Sequence, residues 1–205
     1  MRPTALALLA SLLLPAAAAA EAAPGPAVEE APGVPLVDLH DPEDNARWRM
    51  VNDDVMGGRS IGGVSFEGGV MTFSGSINTD GGGFSSVRRP LPEGALKGMD
   101  RVFLRVRAVD DRPYRVNFRD GAGGGRRDGR SVLHRFDLPI TEPGAWETVE
   151  VRFADLVPSV RGDPRPGLPR FEPGEAVEMG FILNDTGDGP FELQVSGVWV
   201  APDPG

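Results

Sequence analysis

Five clusters in this sequence carry side chains that could do chemistry, and each can be weighed by what that chemistry requires. Asn52-Asp53-Asp54 puts oxygen ligands in a row, but a calcium ion takes about six to eight oxygens and two adjacent carboxylates are too few. Asx side chains bonding their own backbone, with Gly57 and Gly58 at positive φ, explain the run as a shaped turn. Gly58-Arg59-Ser60-Ile61-Gly62 fits G-x-S-x-G, the strained strand-to-helix elbow that exposes a nucleophilic serine. The next residues, Gly62-Gly63-Val64-Ser65, are no helix start, and His40 and His134 are the only candidate bases, so a serine hydrolase is not expected. The glycine-rich stretch 121–125 would cradle a phosphate only by opening a helix, and no helical pattern succeeds it. Asp185-Thr186-Gly187-Asp188-Gly189 has part of a calcium-loop pattern, yet Glu192 is too close for the helix-flanked version, and a turn between strands explains it better.

The remaining cluster is basic. Arg105 and Arg107 alternate with Val102, Leu104, Val106 and Ala108, while Arg115, Asn117 and Arg119 alternate with Tyr114, Val116 and Phe118. If the two stretches form a hairpin, Arg107 lies opposite Arg115 or Arg105 opposite Arg119. Like charges directly across a sheet are unfavourable, so an acid belongs among them: Glu150 or Glu178 from neighbouring strands, or a carboxylate or other anion from outside. The second answer makes Arg105, Arg107, Arg115, Asn117 and Arg119 a recognition surface, with Asn117 suited to sugar hydroxyls or backbone amides. The first loop offers another contact edge through Asp53, Asp54, Met56, Arg59 and Ser60. Trp48 and Trp146 read as core or rim, and Trp199 as half exposed. No catalytic residue, metal or cofactor is expected.

These groups must be positioned by strands. Period-2 alternation is clearest in Val102–Ala108 and recurs in Tyr114–Arg119, Val149–Phe153, Val177–Leu183 and Phe191–Val195. Shorter candidates include Trp48–Val51, Phe84–Val87 and Val132–Phe136. No stretch sustains a helical period, and 28 Gly and 20 Pro fall between the strands as turn chemistry. Ala154-Asp155-Leu156 suggests one helical turn, and Val157–Pro173, with five prolines, reads as a long loop. Many short strands with Gly/Pro turns predict an all-β sandwich or barrel.

The ends and the composition narrow the class. Residues 1–20, with Arg2, an apolar stretch and an Ala-rich end, read as a signal peptide, which predicts a periplasmic or secreted protein. Residues 21–35 read as a flexible Ala/Pro/Gly/Glu leader, and 36–202 as a single domain. No segment is apolar for the roughly 20 residues a membrane helix needs. The chain has no cysteine, which excludes disulfides and thiol chemistry. The formal net charge of -9 argues against nucleic-acid binding, and a monomer is expected. Lys97 is the single lysine, so the positive charge is almost all guanidinium, suited to planar anions.

Trp48–Ser60 and Gly81-Gly82-Gly83-Phe84-Ser85-Ser86-Val87-Arg88 together resemble the signature of the complex I intermediate-associated protein 30 family. Further landmarks come in order: Tyr114–Arg119, His134-Arg135-Phe136, Trp146–Val149 leading into Phe153–Leu156, Gly180-Phe181-Ile182, and Gly189–Leu193. The resemblance implies a jelly-roll β-sandwich similar to galactose-binding domains. It also implies a non-catalytic module that binds a protein partner in an assembly or chaperone-like role, as mitochondrial members do for the respiratory NADH:ubiquinone oxidoreductase. The alternative on the same fold is a carbohydrate-binding module.

Overall fold

A computed structural model describes residues 32–121 and 132–204. The signal-peptide reading of 1–20, most of the proposed leader and the Gly/Arg excursion over 122–131 lie outside the described residues. Within them the chain forms β1 (Val34–Pro35), a one-turn helix α1 (Pro42–Asn45), β2 (Arg49–Asn52), β3 (Ile61–Glu67), β4 (Val70–Ile77), β5 (Phe84–Pro90) and β6 (Arg101–Ala108). Next come β7 (Tyr114–Asp120), β8 (Leu133–Asp137), β9 (Glu147–Arg152), β10 (Val157–Val160), β11 (Asp163–Pro164), β12 (Ala176–Asn184) and β13 (Gly189–Ala201). The strands pair antiparallel in two sheets. The first runs β3-β4-β13-β6-β9, with β1 along the end of β13; the second runs β11-β10-β8-β7-β12-β5-β2. The fold is an all-β, two-layer sandwich.

Alternation explains why the layers close on each other. Leu104, Val106, Leu193, Val195 and Phe73 line the inner side of the first sheet, and Val116, Phe118, Phe181, Leu183 and Val87 that of the second; all are fully buried. Each large apolar side chain so removed from water contributes roughly 1.5–3 kcal/mol. Aromatic rings fill the ends of the layer. Phe118, Phe153 and Phe171 meet pairwise at 5.4–5.5 Å, and Trp48 stacks on Phe181 at 6.1 Å.

The predicted hairpin between the two arginine-bearing strands does not form. β6 pairs with β13 and β9, whereas β7 pairs with β12 and β8. Alternation gives each strand one apolar side, and two strands satisfy it equally by lying side by side or by facing each other across the core. Here they face each other. The crossing between them is fixed by Asp110, whose carboxylate accepts from Tyr114 Oη (2.8 Å), from the amide of Glu192 (2.9 Å) and from that of Arg112 (3.0 Å).

Two other expectations change. The stretch from Val157 is not wholly a loop: β10 pairs with β8 and turns back into β11. Pro158 is tolerated there because β10 lies next to the sheet edge, where few ladder bonds are lost. Trp199 is buried, because it lies over Gly197, where a Cβ would strike its ring, and beside Pro35 of β1.

Arg89 points inward from β5 and is only 1% exposed. Its fork reaches Asp44 of α1, Nη2 to Oδ1 at 2.9 Å and Nη1 to Oδ2 at 3.2 Å, and its guanidinium lies 5.7 Å from the Trp48 ring centroid. Burial pushes the Asp44 carboxyl up, but Arg89 and the amide of Asp38 hold it below the usual range. The pair clamps the segment before β2 onto the sandwich. Asp44→Ala should therefore cost about 3 kcal/mol in urea unfolding, since it strands a buried charge. Combining it with Arg89→Leu should recover most of that loss; equal losses in the single and double variants would show that Asp44 does not serve Arg89.

Candidate functional site

The first loop and the second glycine turn form one knot. β2 ends at Asn52, and Asp53–Met56 make a 3-10 turn closed by Gly57 at φ +89. The Asp53 carboxylate is fully buried. It accepts from Ser60 Oγ (2.6 Å), the Ser60 amide (2.9 Å), the Gly83 amide (2.6 Å) and the Phe84 amide (3.2 Å). A Cβ on Gly58 or Gly82 would collide with this carboxylate. Of the two glycines expected at positive φ, Gly57 alone has it; Gly58 is needed for close approach instead. Burial pushes the Asp53 carboxyl up, but the bonds from Ser60, Gly83 and Phe84 hold it below its ordinary value.

This geometry corrects two candidate contacts. Asp53 and Ser60 are buried partners of each other and are not presented at the surface. Ser60 Oγ also bonds the backbone of Asn78, and neither histidine reaches it. His134 is fully buried against Phe171 (5.3 Å), 3.5 Å from Asp120, with burial lowering its pKa; the His40 ring lies against Gly69. The Asp53 carboxylate is taken up by four donors within the loop, and among the described residues no three His, Cys, Asp or Glu converge. The other three loop residues are at the surface. Asp54 accepts its neighbour's amide, Arg59 pairs with Asp80 at 3.0 Å with both exposed, and Met56 is 64% exposed beside Val55 at 69%.

The arginines separate by sheet. On the outer side of the first sheet, Arg107 donates from Nε to Gln194 Oε1 at 2.9 Å and covers Trp146 at 5.1 Å, while Arg105 reaches Thr148 Oγ1 at 3.3 Å. On the outer side of the second, Arg119 pairs with Glu178 at 3.5 Å, one of the two acids anticipated. Glu150 serves Arg101 and Arg152 instead.

Arg115 and Asn117 enter a cleft of about 280 Å³ on that outer side, with Met56 at its rim. The register lays out its floor. Arg88, Gly180, Asn117 and Arg135 succeed one another across β5, β12, β7 and β8, and Ile182 and Arg115 lie in the next row. Arg115 bonds Asp137 and the carbonyl of Asn184 (3.2 Å). Arg135 bonds the carbonyl of Gly162. The far wall is the β10–β11 turn, where Arg161 at φ +54 and Gly162 at φ +85 have the two positive φ values of a type I′ turn. The lining contains no carboxylate, imidazole, thiol or amine among the described residues. Guanidinium and carboxamide groups bind and orient; at neutral pH they do not exchange protons.

Arg88, Arg135 and Arg161 were not singled out from the sequence. Arg88 closes the second glycine motif and Arg135 lies in a short alternating stretch, so each was legible as an outward residue. Nothing in one strand tells which outward residues become lateral neighbours.

The architecture is that of a galactose-binding-like β-sandwich presenting a cleft suited to recognition. It overlays on a family 11 carbohydrate-binding module from Clostridium thermocellum, solved with a β-1,3-1,4-mixed-linked tetrasaccharide, with a TM-score of 0.51 and 16% identity, covering 74% of this chain and 89% of that one. Residues 37–195 match the family described as Complex I intermediate-associated protein 30, and the chain belongs to that family. The mitochondrial protein of that name from Neurospora crassa is 34% identical over 107 residues, 49% of this chain and 34% of that protein. The Mus musculus protein is 25% identical over 180 residues, 79% of this chain and 54% of that one. The chain thus spans a third to a half of the curated relatives it matches. Their names as mitochondrial proteins overturn the periplasmic or secreted location read from residues 1–20. A charged-then-apolar leader is a compositional pattern, and composition alone does not fix a destination. Among the described residues no helix is long and apolar enough to cross a membrane.

Asp53→Asn should cost about 2–3 kcal/mol, because an amide meets backbone donors with a donor of its own. Asp53 has its folded pKa below the reference 3.8, so its contribution is complete above that value and is lost as pH falls through the folded pKa. The stability gap between wild type and Asp53→Asn should stay level from about pH 5 to 8 and shrink at lower pH. A gap undiminished in acid would show that the charge does not stabilise the knot. Arg161→Asn should raise stability by about 0.5–1 kcal/mol, since Asn tolerates the left-handed region that Arg does not; a lower melting temperature would contradict this.

Proposed function

We propose that this chain is a non-catalytic binding module that holds a protein partner, in an assembly or chaperone-like role, through the cleft on the outer side of its second sheet. The observation that carries this reading is the chemistry of the lining. Glycoside hydrolysis needs a pair of carboxylates flanking the bond, and general acid–base work of any kind needs a group that titrates near neutrality. The described lining offers neither. Ser60, the one serine in a nucleophile motif, is locked onto Asp53.

A protein partner is favoured over a glycan by kinship and by side-chain placement. The curated relatives are named for association with complex I intermediates. Sugar rings are commonly held on exposed aromatic planes, but Trp48 and Trp199 are buried and Trp146 is covered by Arg107 on the other sheet. Fold likeness to a carbohydrate-binding module supports the competing reading, with Asn117 as its polar contact.

Native electrophoresis of cells producing the tagged chain tests the proposal. The tag should co-migrate with a subassembly of the NADH:ubiquinone oxidoreductase, and the purified chain should give no calorimetric signal with mixed-linked glucan oligosaccharides. Glycan binding without co-migration would favour the carbohydrate module, and release of reducing sugar would overturn the non-catalytic reading.

A further inference from the structure

We infer that the cleft receives a carboxylate carried by an acidic peptide segment of the partner, with Arg88, Asn117 and Arg135 as the receiving groups. This rests on the protein-partner reading above and names the chemistry of the segment that is bound.

The charge distribution is the first reason. The sequence holds 30 Asp and Glu against 21 Lys and Arg, yet the described cleft lining contains four arginines and no acid. Nearby guanidiniums have internal partners: Arg115 has Asp137, Arg119 has Glu178 and Arg112 has Asp185. Arg88 has none. Its Nε donates to Ser86 Oγ at 3.1 Å, while its two Nη groups make no hydrogen bond and meet no carboxylate within ion-pair distance among the described residues.

Asn117 is the second reason. It is 6% exposed and lines the cleft, and its carboxamide makes no hydrogen bond among the described residues. Its polar atoms keep their solvent contact through the cleft, so both the amide donor and the acceptor are available to a ligand. Gly180 lies between Arg88 and Asn117 in the register. A Cβ there would strike the Val87 carbonyl and the Arg88 stem, so the missing side chain is what lets the Arg88 stem lie against β12 beside the cleft. With strands about 4.8 Å apart, Arg88 and Asn117 lie two strands from each other on one side of the sheet and both line the cleft, so one carboxylate can be met by both, and the guanidinium fork matches carboxylate geometry. Arg135 flanks Asn117 on the far side. Burial and the neighbouring guanidiniums of Arg119 and Arg115 hold the pKa of Arg88 and Arg135 low, although Glu178, Asp137 and Asp163 act in the opposite sense; a further counter-charge would act in the same direction as those acids.

The apolar lining indicates a peptide and not a free anion. Met56, Phe84, Leu133 and Ile182 share the cleft with the arginines and would have no counterpart around phosphate alone. The positive φ of Arg161 adds that a strained turn holds a fourth guanidinium at the rim, and strain of this kind clusters at binding sites.

The test uses the full-length chain and a fluorescein-labelled octapeptide of alternating leucine and glutamate, monitored by anisotropy at low and high salt. The peptide should bind, weaken with salt, and bind at least about tenfold better than its leucine–glutamine counterpart. Arg88→Gln and Arg135→Gln should each weaken it about tenfold at unchanged melting temperature. Arg161→Asn, expected to melt higher than wild type, should weaken binding several-fold, which excludes unfolding as the cause. Equal binding of the neutral peptide, wild-type affinity in Arg88→Gln, or displacement by inorganic phosphate as effective as by unlabelled peptide would each overturn the inference. Retained co-migration of an Arg88→Gln/Arg135→Gln variant on native gels would also sink it, while leaving the binding-module reading intact. Failure of the wild type to co-migrate would instead count against that reading.

Discussion

One buried carboxylate organises the functional end of this molecule. Asp53 accepts four hydrogen bonds, two from Ser60, 7 residues on, and one each from Gly83 and Phe84, 30 and 31 residues on. A charge out of water is tolerable only when it is fully coordinated, and the donors come from Ser60, beyond the turn after β2, and from the glycine turn that leads into β5. Removing any of them exposes the rest to that penalty. The glycines that flank it are therefore a consequence of the carboxylate: Gly58 and Gly82 leave the space it fills. The knot also sets where Met56 and Phe84 stand, and both border the cleft.

The two sheets divide the arginines into different tasks. Those of the first sheet's outer side are absorbed by Gln194, Thr148 and Trp146, and serve the surface of the sandwich. On the second, Arg88, Arg115 and Arg135 share a concavity with an amide and apolar side chains, while Arg119 pairs with Glu178. Such a division gives an acidic chain a cleft lined by four guanidiniums and no acid among the described residues. Electrostatic complementarity of that kind supports selectivity and encounter more than raw affinity.

Much of the fold was legible because alternation is a local property. Val102–Ala108 and Tyr114–Arg119 are strands, with the inward and outward residues that their pattern prescribes. Their relative placement was not legible, since facing and flanking strands carry the same pattern. The turn after Trp48 was readable as a shaped loop from Asn52, Asp53 and the glycines; that Asp53 also reaches Gly83 required the third dimension. Arg89 illustrates the remaining gap. Alternation puts Arg89 on the inner side with Val87 and Leu91, but one strand does not show the Asp44 and Trp48 that accommodate its charge there. The cleft escaped for a similar reason, because Arg88, Asn117, Arg135 and Arg161 come from four strands or turns.

The second sheet ends at β11, which is Asp163 and then Pro164. A proline has no amide hydrogen to offer an incoming backbone, and an aspartate beside it repels stacking of a further acidic chain. Growth of the sheet by strand addition is thus blocked at the border nearest the cleft. A segment bound as inferred above would then cross over the strands, reading side chains and not extending the ladder, so that its recognition would depend on sequence.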